Sequence, residues 1–235
     1  MYRKHEINSA MRVIILMAVL IIPSSRIFAK PIPLPSRPPK NAIVLFDGTN
    51  TSQWEQLRHN SPCRWKLKDG YLQVVPRTGD LRTRKEFRDF RLHVEFNIPY
   101  MPGKHGQARG NSGVILQNLY EIQVLDSYGI KHPKKNDCGA IYGQKAPLVN
   151  ACKPPDTWQS YDIFFRTARL DANGKMIQKP VVTVYQNGVE IQKNQTINGP
   201  TGIRRRMKIK TEGPIVLQAH GCKVQYCNIW IEPNP

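Results

Sequence analysis

Glu121-Ile122-Gln123-Val124-Leu125-Asp126 sets two carboxyl groups around an amide in one short stretch with strand character. Successive side chains of an extended chain point to opposite faces, so Glu121 and Gln123 share one face and Ile122 and Val124 the other. Leu125 adds an apolar residue that breaks the period. A β-bulge there would return Asp126 to the face of Glu121 and Gln123. Two carboxyl groups flanking an amide suit acid–base work on a sugar linkage, one taking a proton while the other gives one. The same pattern also fits a half-buried strand whose polar face is merely solvated. Asn111-Ser112-Gly113, a turn signal just upstream, favours the chemical reading.

The elements that must position these groups are short strands. Phe90-Arg91-Leu92-His93-Val94-Glu95-Phe96-Asn97-Ile98 alternates throughout, with Phe90, Leu92, Val94, Phe96 and Ile98 toward a core. Trp65-Lys66-Leu67 and Tyr71-Leu72-Gln73-Val74 flank Lys68-Asp69-Gly70 as a hairpin. Asn187-Gly188 likewise joins Val181–Tyr185 to Val189-Glu190-Ile191. Tyr161–Phe165, Gly213–His220 and Val224–Ile231 are further strand candidates, and no long window of helical period stands out. Many short strands with Gly and Pro turns, and no strand–helix–strand alternation, predict a β-sandwich or barrel of antiparallel sheets with one concave polar face.

Residues 1–29 read as an export signal. Arg3, Lys4 and Arg12 precede the apolar run Val13–Ile22, Pro23-Ser24-Ser25 breaks it, and Ile27-Phe28-Ala29 offers a small residue for cleavage. That run would rise only ~15 Å as a helix, half of a bilayer core, which excludes a permanent span. Residues 30–40 hold Pro31, Pro33, Pro35, Pro38 and Pro39 and read as an extended linker, which leaves residues 41–235 as one domain. The expected location is secreted or periplasmic.

The formal net charge is +18, and residues 1–29 account for only Arg3, Lys4, Arg12, Arg26 and Glu6 of the charged side chains. Such a chain would dock electrostatically on an anionic envelope surface. The densest basic cluster, Arg204-Arg205-Arg206-Met207-Lys208-Ile209-Lys210, has no interleaved aromatics. It reads as a solvated loop and argues against specific nucleic-acid binding. Five cysteines in an exported chain suggest disulfides with one thiol left over. Cys138–Cys152 is the preferred pairing, as it would staple the loop carrying Tyr142; Cys63, Cys222 and Cys227 stay open.

These motifs carry a resemblance. Leu45-Phe46-Asp47-Gly48 with Trp54, Phe90 to Phe96, Gly110–Val114 and Tyr120–Asp126 are similar to the 3-keto-disaccharide hydrolase family, in order and with its spacing. Gly139-Ala140-Ile141-Tyr142-Gly143, Trp158, Asn187-Gly188-Val189, Gly213–Gly221 and Asn228-Ile229-Trp230-Ile231 continue it, so that it runs from about Ile43 to Glu232. The resemblance implies an all-β, concanavalin A-like jelly-roll sandwich of two curved antiparallel sheets. It also implies chemistry on sugars oxidised at C3, assisted in some relatives by a metal. Retaining glycosidases of laminarinase type share the fold and write their catalytic strand Glu-x-Asp-x-x-Glu. Here an amide replaces the central acid and Asp126 the last.

A 3-keto group acidifies the hydrogen on C2, so that a base can remove it and the enolate can expel the C1 substituent. In this light Glu121, Asp126 and His220 are the candidate catalytic residues, and the same three are the candidate ligands of a divalent cation. Asn111, Gln123, Tyr142 and Glu95 are candidates for binding the saccharide. Structural alternatives stand beside several: His220 as a turn cap, Asn111 as a turn former, Tyr142 as core and Glu95 as a solvent-facing strand residue. A non-catalytic carbohydrate-binding module of the same fold is the alternative at the level of the whole chain.

Overall fold

A computed structural model of the chain describes residues 37–233. The leader read over residues 1–29 and most of the linker at 30–40 lie outside the described residues. Within them, no helix is long and apolar enough to cross a membrane. The first strands are β1 (Ile43–Phe46), β2 (Trp54–Gln56), β3 (Lys66–Lys68), β4 (Tyr71–Gln73) and β5 (Leu81–Thr83). There follow β6 (Phe90–Asn97), β7 (Ser112–Leu116), β8 (Tyr120–Val124), β9 (Trp158–Arg166) and β10 (Arg169–Leu170). The last are β11 (Met176–Gln178), β12 (Val181–Gln186), β13 (Val189–Thr196), β14 (Val216–Leu217) and β15 (Gln225–Pro233).

The strands make an antiparallel jelly-roll sandwich. An eight-stranded sheet runs β13-β12-β9-β6-β15-β4-β3 with β1 also paired to β15, and a five-stranded sheet runs β2-β5-β14-β7-β8. Alternation along β6 sends Phe90, Leu92, Val94 and Phe96 inward, where they meet Val114 and Leu116 of β7 and Tyr120, Ile122 and Val124 of β8 in one apolar core. Phe96 packs against Tyr161 of β9 with ring centroids 4.7 Å apart, and Phe90 against Phe165 at 5.1 Å, both pairs tilted. Burying one such ring stabilises the fold by roughly 1.5–3 kcal/mol.

Turn chemistry sets the register. Asp69 and Gly70 between β3 and β4, and Asn187 and Gly188 between β12 and β13, all have positive φ, as two-residue hairpins of matching twist require. The turn between β7 and β8 does so without glycine: Gln117 and Asn118 sit at φ 54° and 55°. The Gln117 side chain compensates. Its amide donates to the carbonyls of Phe87, Arg88 and Thr211 at 3.0, 3.1 and 3.2 Å and accepts from Thr167 Oγ1 at 2.8 Å.

β8 is the edge of the five-stranded sheet, and the chain covers it. Residues 139–142 run alongside: Gly139 N donates to Gln123 O, Gln123 N to Ala140 O, and Tyr142 N to Glu121 O. Thr201 closes the other end, donating its amide to Leu119 O at 2.9 Å and accepting from Glu121 N on Oγ1 at 2.9 Å. The Gln144 side chain joins the two covers, donating to Gly199 O and accepting from Asn198 N.

The expected Cys138–Cys152 bridge is corrected: both are free thiols, as are Cys63, Cys222 and Cys227. The two sulfurs come together under the covering loop, but polar groups hold them. Gln186 Nε2 donates to Cys138 Sγ at 3.7 Å and to Cys152 Sγ at 3.3 Å, and the Tyr161 hydroxyl lies 3.1 Å from Cys138 Sγ. That hydroxyl donates on to the Gln123 carbonyl at 2.6 Å, which ties the thiol pair to the back of β8.

Candidate active site

On β8 the residues that alternate with the core side chains, Glu121 and Gln123, face out of the sandwich. They reach a cavity of about 690 Å³ formed over the five-stranded sheet by residues 135–144, 200–205 and 218–220. Asn111, Tyr142 and His220 line it as well, so five of the seven candidate residues meet there. The turn motif before β7 divides its labour. Asn111 hydrogen-bonds the carbonyl and side chain of Gln107 at 2.9 and 3.1 Å, and the buried Ser112 hydroxyl meets Tyr226 Oη and Gln218 O, each at 2.6 Å. Gly113 makes room: a Cβ there would stand 2.6 Å from Glu121 Oε1. The carboxyl of Glu121 therefore lies back across β7, in a slot that a side chain at Gly113 would fill.

Glu121 is 3 % exposed. Burial pushes its carboxyl up to about 7; the nearby Arg204 guanidinium pulls the other way, and Asp80 adds to the rise. Gln123 lies beside it, its amide nitrogen donating to Glu121 Oε1 at 3.0 Å and to Ser112 O at 3.1 Å, with its oxygen toward the Gln107 side chain.

Two site residues escape a reading of the sequence. Arg204, assigned above to a solvated loop, is 4 % exposed and lines the cavity. It pairs with Asp80 (Nη2–Oδ2 3.0 Å) and donates from Nε to Asn118 Oδ1 at 3.0 Å, which anchors it to the β7–β8 turn. Asp80 in turn accepts from Ala219 N at 2.9 Å at the exit of β14. Their separation in sequence leaves no local pattern; the one available signal was Arg204 at the start of the basic run, just after Gly202. Gly202 sits at φ +54°, and a Cβ on it would lie 3.6 Å from both Glu121 Oε2 and the Tyr142 ring.

Two candidates are placed elsewhere. Asp126 does not line the cavity. β8 ends at Val124, Leu125 follows it into the core, and no bulge interrupts the β7–β8 register, so the phase of the strand does not carry on. The Asp126 carboxyl instead pairs with Arg109 Nε at 3.1 Å and accepts from Tyr128 N at 3.2 Å. Glu95 lies on the outer face of the eight-stranded sheet, with the whole core between it and Glu121. There Asn228 Nδ2 donates to its Oε1 at 2.7 Å, and His93 lies at 3.5 Å. The hydrogen bond with His93, ahead of burial, which opposes it, holds the Glu95 carboxyl below the usual range.

The proposed cation ligands do not assemble either. Among the described residues no three His, Cys, Asp or Glu side chains come close enough to hold a metal ion. Glu121 and His220 line the cavity without Asp126, and the other lining acid, Asp80, is held by Arg204. His220 is exposed at the cavity mouth, with no hydrogen-bond partner among the described residues.

The sequence matches the 3-keto-alpha-glucoside-1,2-lyase-like domain over residues 41–232. The chain belongs to this family. A crystal structure of a candidate glycosyl hydrolase from Parabacteroides distasonis is 39% identical, with a TM-score of 0.78, covering 83% of this chain and 84% of that one. A second candidate glycosyl hydrolase from that organism, 18% identical with a TM-score of 0.62 over 83% of this chain and 94% of its own, shares the fold. The curated proteins yield no match. Membership of the family places the chain among carbohydrate-active proteins.

Proposed function

We propose that the protein cleaves the glycosidic bond of 3-keto-glycosides, with Glu121 moving the proton. The observation that carries this reading is a buried carboxyl raised to about 7, set among amides on the wall of an open cavity. An ordinary carboxylate is too weak a base, and an ordinary carboxylic acid too fully ionised, to serve both halves of a reaction at neutral pH. In the ionised form Glu121 takes the C2 hydrogen. The C–H electrons pass into the enolate of the C3 ketone, the C1–O bond breaks, and the departing oxygen takes up a proton. Water adding across the resulting C1–C2 double bond completes hydrolysis. Tyr142, beside Gly202 and Glu121, is the donor for the C3 oxyanion, and His220 at the mouth is the second proton carrier. Asn111, Gln107 and Gln123 bind sugar hydroxyls.

A double-displacement glycosidase would need a second, unencumbered carboxylate facing Glu121; Asp126 and Asp80 are both committed to arginines. A binding module would offer aromatic planes, whereas Tyr142 is the aromatic among the lining residues and amides make up much of the rest. Read with the leader at 1–29, the enzyme acts outside the cytoplasm, where its positive charge holds it to anionic envelope polymers.

Incubating the protein with a 3-keto-disaccharide in D2O, with and without chelator or added divalent cations, tests the reading. We expect release of reducing sugar with deuterium at C2. Intact disaccharide under every condition, with binding retained, would replace the enzyme by a binding module.

A further inference from the structure

The cavity holds a charge imbalance that the reaction does not explain. Its lining acids are Asp80 and Glu121, and its lining cations include Lys135, Arg204 and Arg205. Arg204 and Asp80 neutralise one another at 3.0 Å, and Glu121 is protonated for much of the time near neutral pH. Lys135 and Arg205 are left. Both are exposed, and neither makes an ion pair among the described residues; many other basic side chains of this chain are likewise without one, and what distinguishes these two is their place on the cavity lining.

Backbone contacts hold these two cations close to the chemistry. The Lys135 carbonyl accepts from Gly143 N at 2.8 Å, next to Tyr142, while Arg205 is the residue that ends the 3₁₀ turn Gly202–Arg204. Gly202 adjoins both the Glu121 carboxyl and the Tyr142 ring, and Tyr142 N donates to the Glu121 backbone carbonyl. The two cations therefore reach the cavity from separate segments, residues 131–145 and 198–206, and Gln144 ties those segments together.

We infer that the saccharide taken by this cavity carries an anionic substituent, a carboxylate or a sulfate, which Lys135 and Arg205 bind while the amides hold the hydroxyls. The inference rests on the reading of the cavity as the saccharide site, and it adds the class of sugar. Neutral glycosides would leave two cations facing a solvated void; an anionic one completes the charge complement of the site.

The test is equilibrium binding to the full chain bearing Glu121→Gln, which stops turnover during the measurement. The probes are an oligouronide, its methyl ester and a sulfated disaccharide. We expect at least one anion to bind about tenfold more tightly than the neutral ester at low ionic strength. The gap should shrink as salt is raised and vanish in the Lys135→Ala/Arg205→Ala double variant. Both positions are exposed, so that variant should fold. Tight binding of the uronide alone identifies a carboxylate, and of the sulfated sugar alone a sulfate. Equal affinity for the charged and neutral probes, or a preference that survives the double substitution, overturns the inference. It would leave the proposed reaction intact if a neutral 3-keto-disaccharide is still cleaved. Selective anion binding without any cleavage would sink the reaction and keep this inference.

Discussion

The carboxyl of Glu121 is shaped by its neighbours as much as by its own type. It lies in a slot that exists because Gly113 carries no side chain, and burial in that slot raises its proton affinity. Gly113→Ala should displace the carboxyl, since the added methyl would stand 2.6 Å from Oε1. We expect kcat/KM to fall by at least ~100-fold for a loss of stability of only ~1–3 kcal/mol, measured by kinetics and urea unfolding. At this scale much was legible. Strict alternation over Glu121-Ile122-Gln123 is enough to put both polar groups on the face away from Ile122. Asp126 was misplaced because its return to that face needed a bulge at Leu125, and the strand ends at Val124 before one can form. Arg204 and Asp80 could not be found, since an ion pair between residues so far apart in sequence leaves no spacing to read.

Among the elements, β8 does most to position the site, and its exposed edge is held by segments with no regular structure of their own. Thr201 fixes one of them through its hydrogen bonds to Leu119 and Glu121. Thr201→Val keeps the shape but removes the acceptor for Glu121 N, which leaves a buried donor unpaired. The expected cost is ~1–3 kcal/mol in denaturant titration, with kcat/KM lowered because Gly202 and Arg204 shift. Hairpins built on Asp69-Gly70 and Asn187-Gly188 were readable because those pairs tolerate positive φ. The Gln117-Asn118 turn was not, because its conformation is held by distant carbonyls that accept from the Gln117 amide. Glu95 shows a further limit. Its strand and its outward face were correctly expected, but which of two sheets a strand joins is decided by partners such as Trp230 opposite His93.

At the scale of the whole molecule, two buried groups make stability depend on pH in the same sense. Glu121 is raised, so the folded chain keeps a proton that the unfolded chain loses between about 4.5 and about 7, and stability falls as pH rises through that window. For His93, burial alone would lower the imidazole, but its contacts with Asp162 and Glu95 outweigh burial and raise it above 6.5. Its contribution is present below that value and is lost as pH rises through the folded value. Glu121→Gln should remove the first of these losses, leaving the variant more stable than the native chain at pH 8 by on the order of 3 kcal/mol, with little difference at pH 4. Chemical denaturation at the two pH values checks this; equal differences at both would show that burial does not hold the proton. The sandwich itself was expected from short strands and turn signals, and the structure bears it out. The cavity over one sheet was not legible, because it is made by crossing connections that only the assembled topology brings together.

The central claim is that Glu121 moves the proton during glycoside cleavage. It is tested most directly by the turnover of a 3-keto-disaccharide by native and Glu121→Gln proteins under conditions where both are folded. The account predicts a loss of at least ~1,000-fold in kcat, with the substrate still bound. A variant that cleaves the disaccharide at the native rate would contradict it.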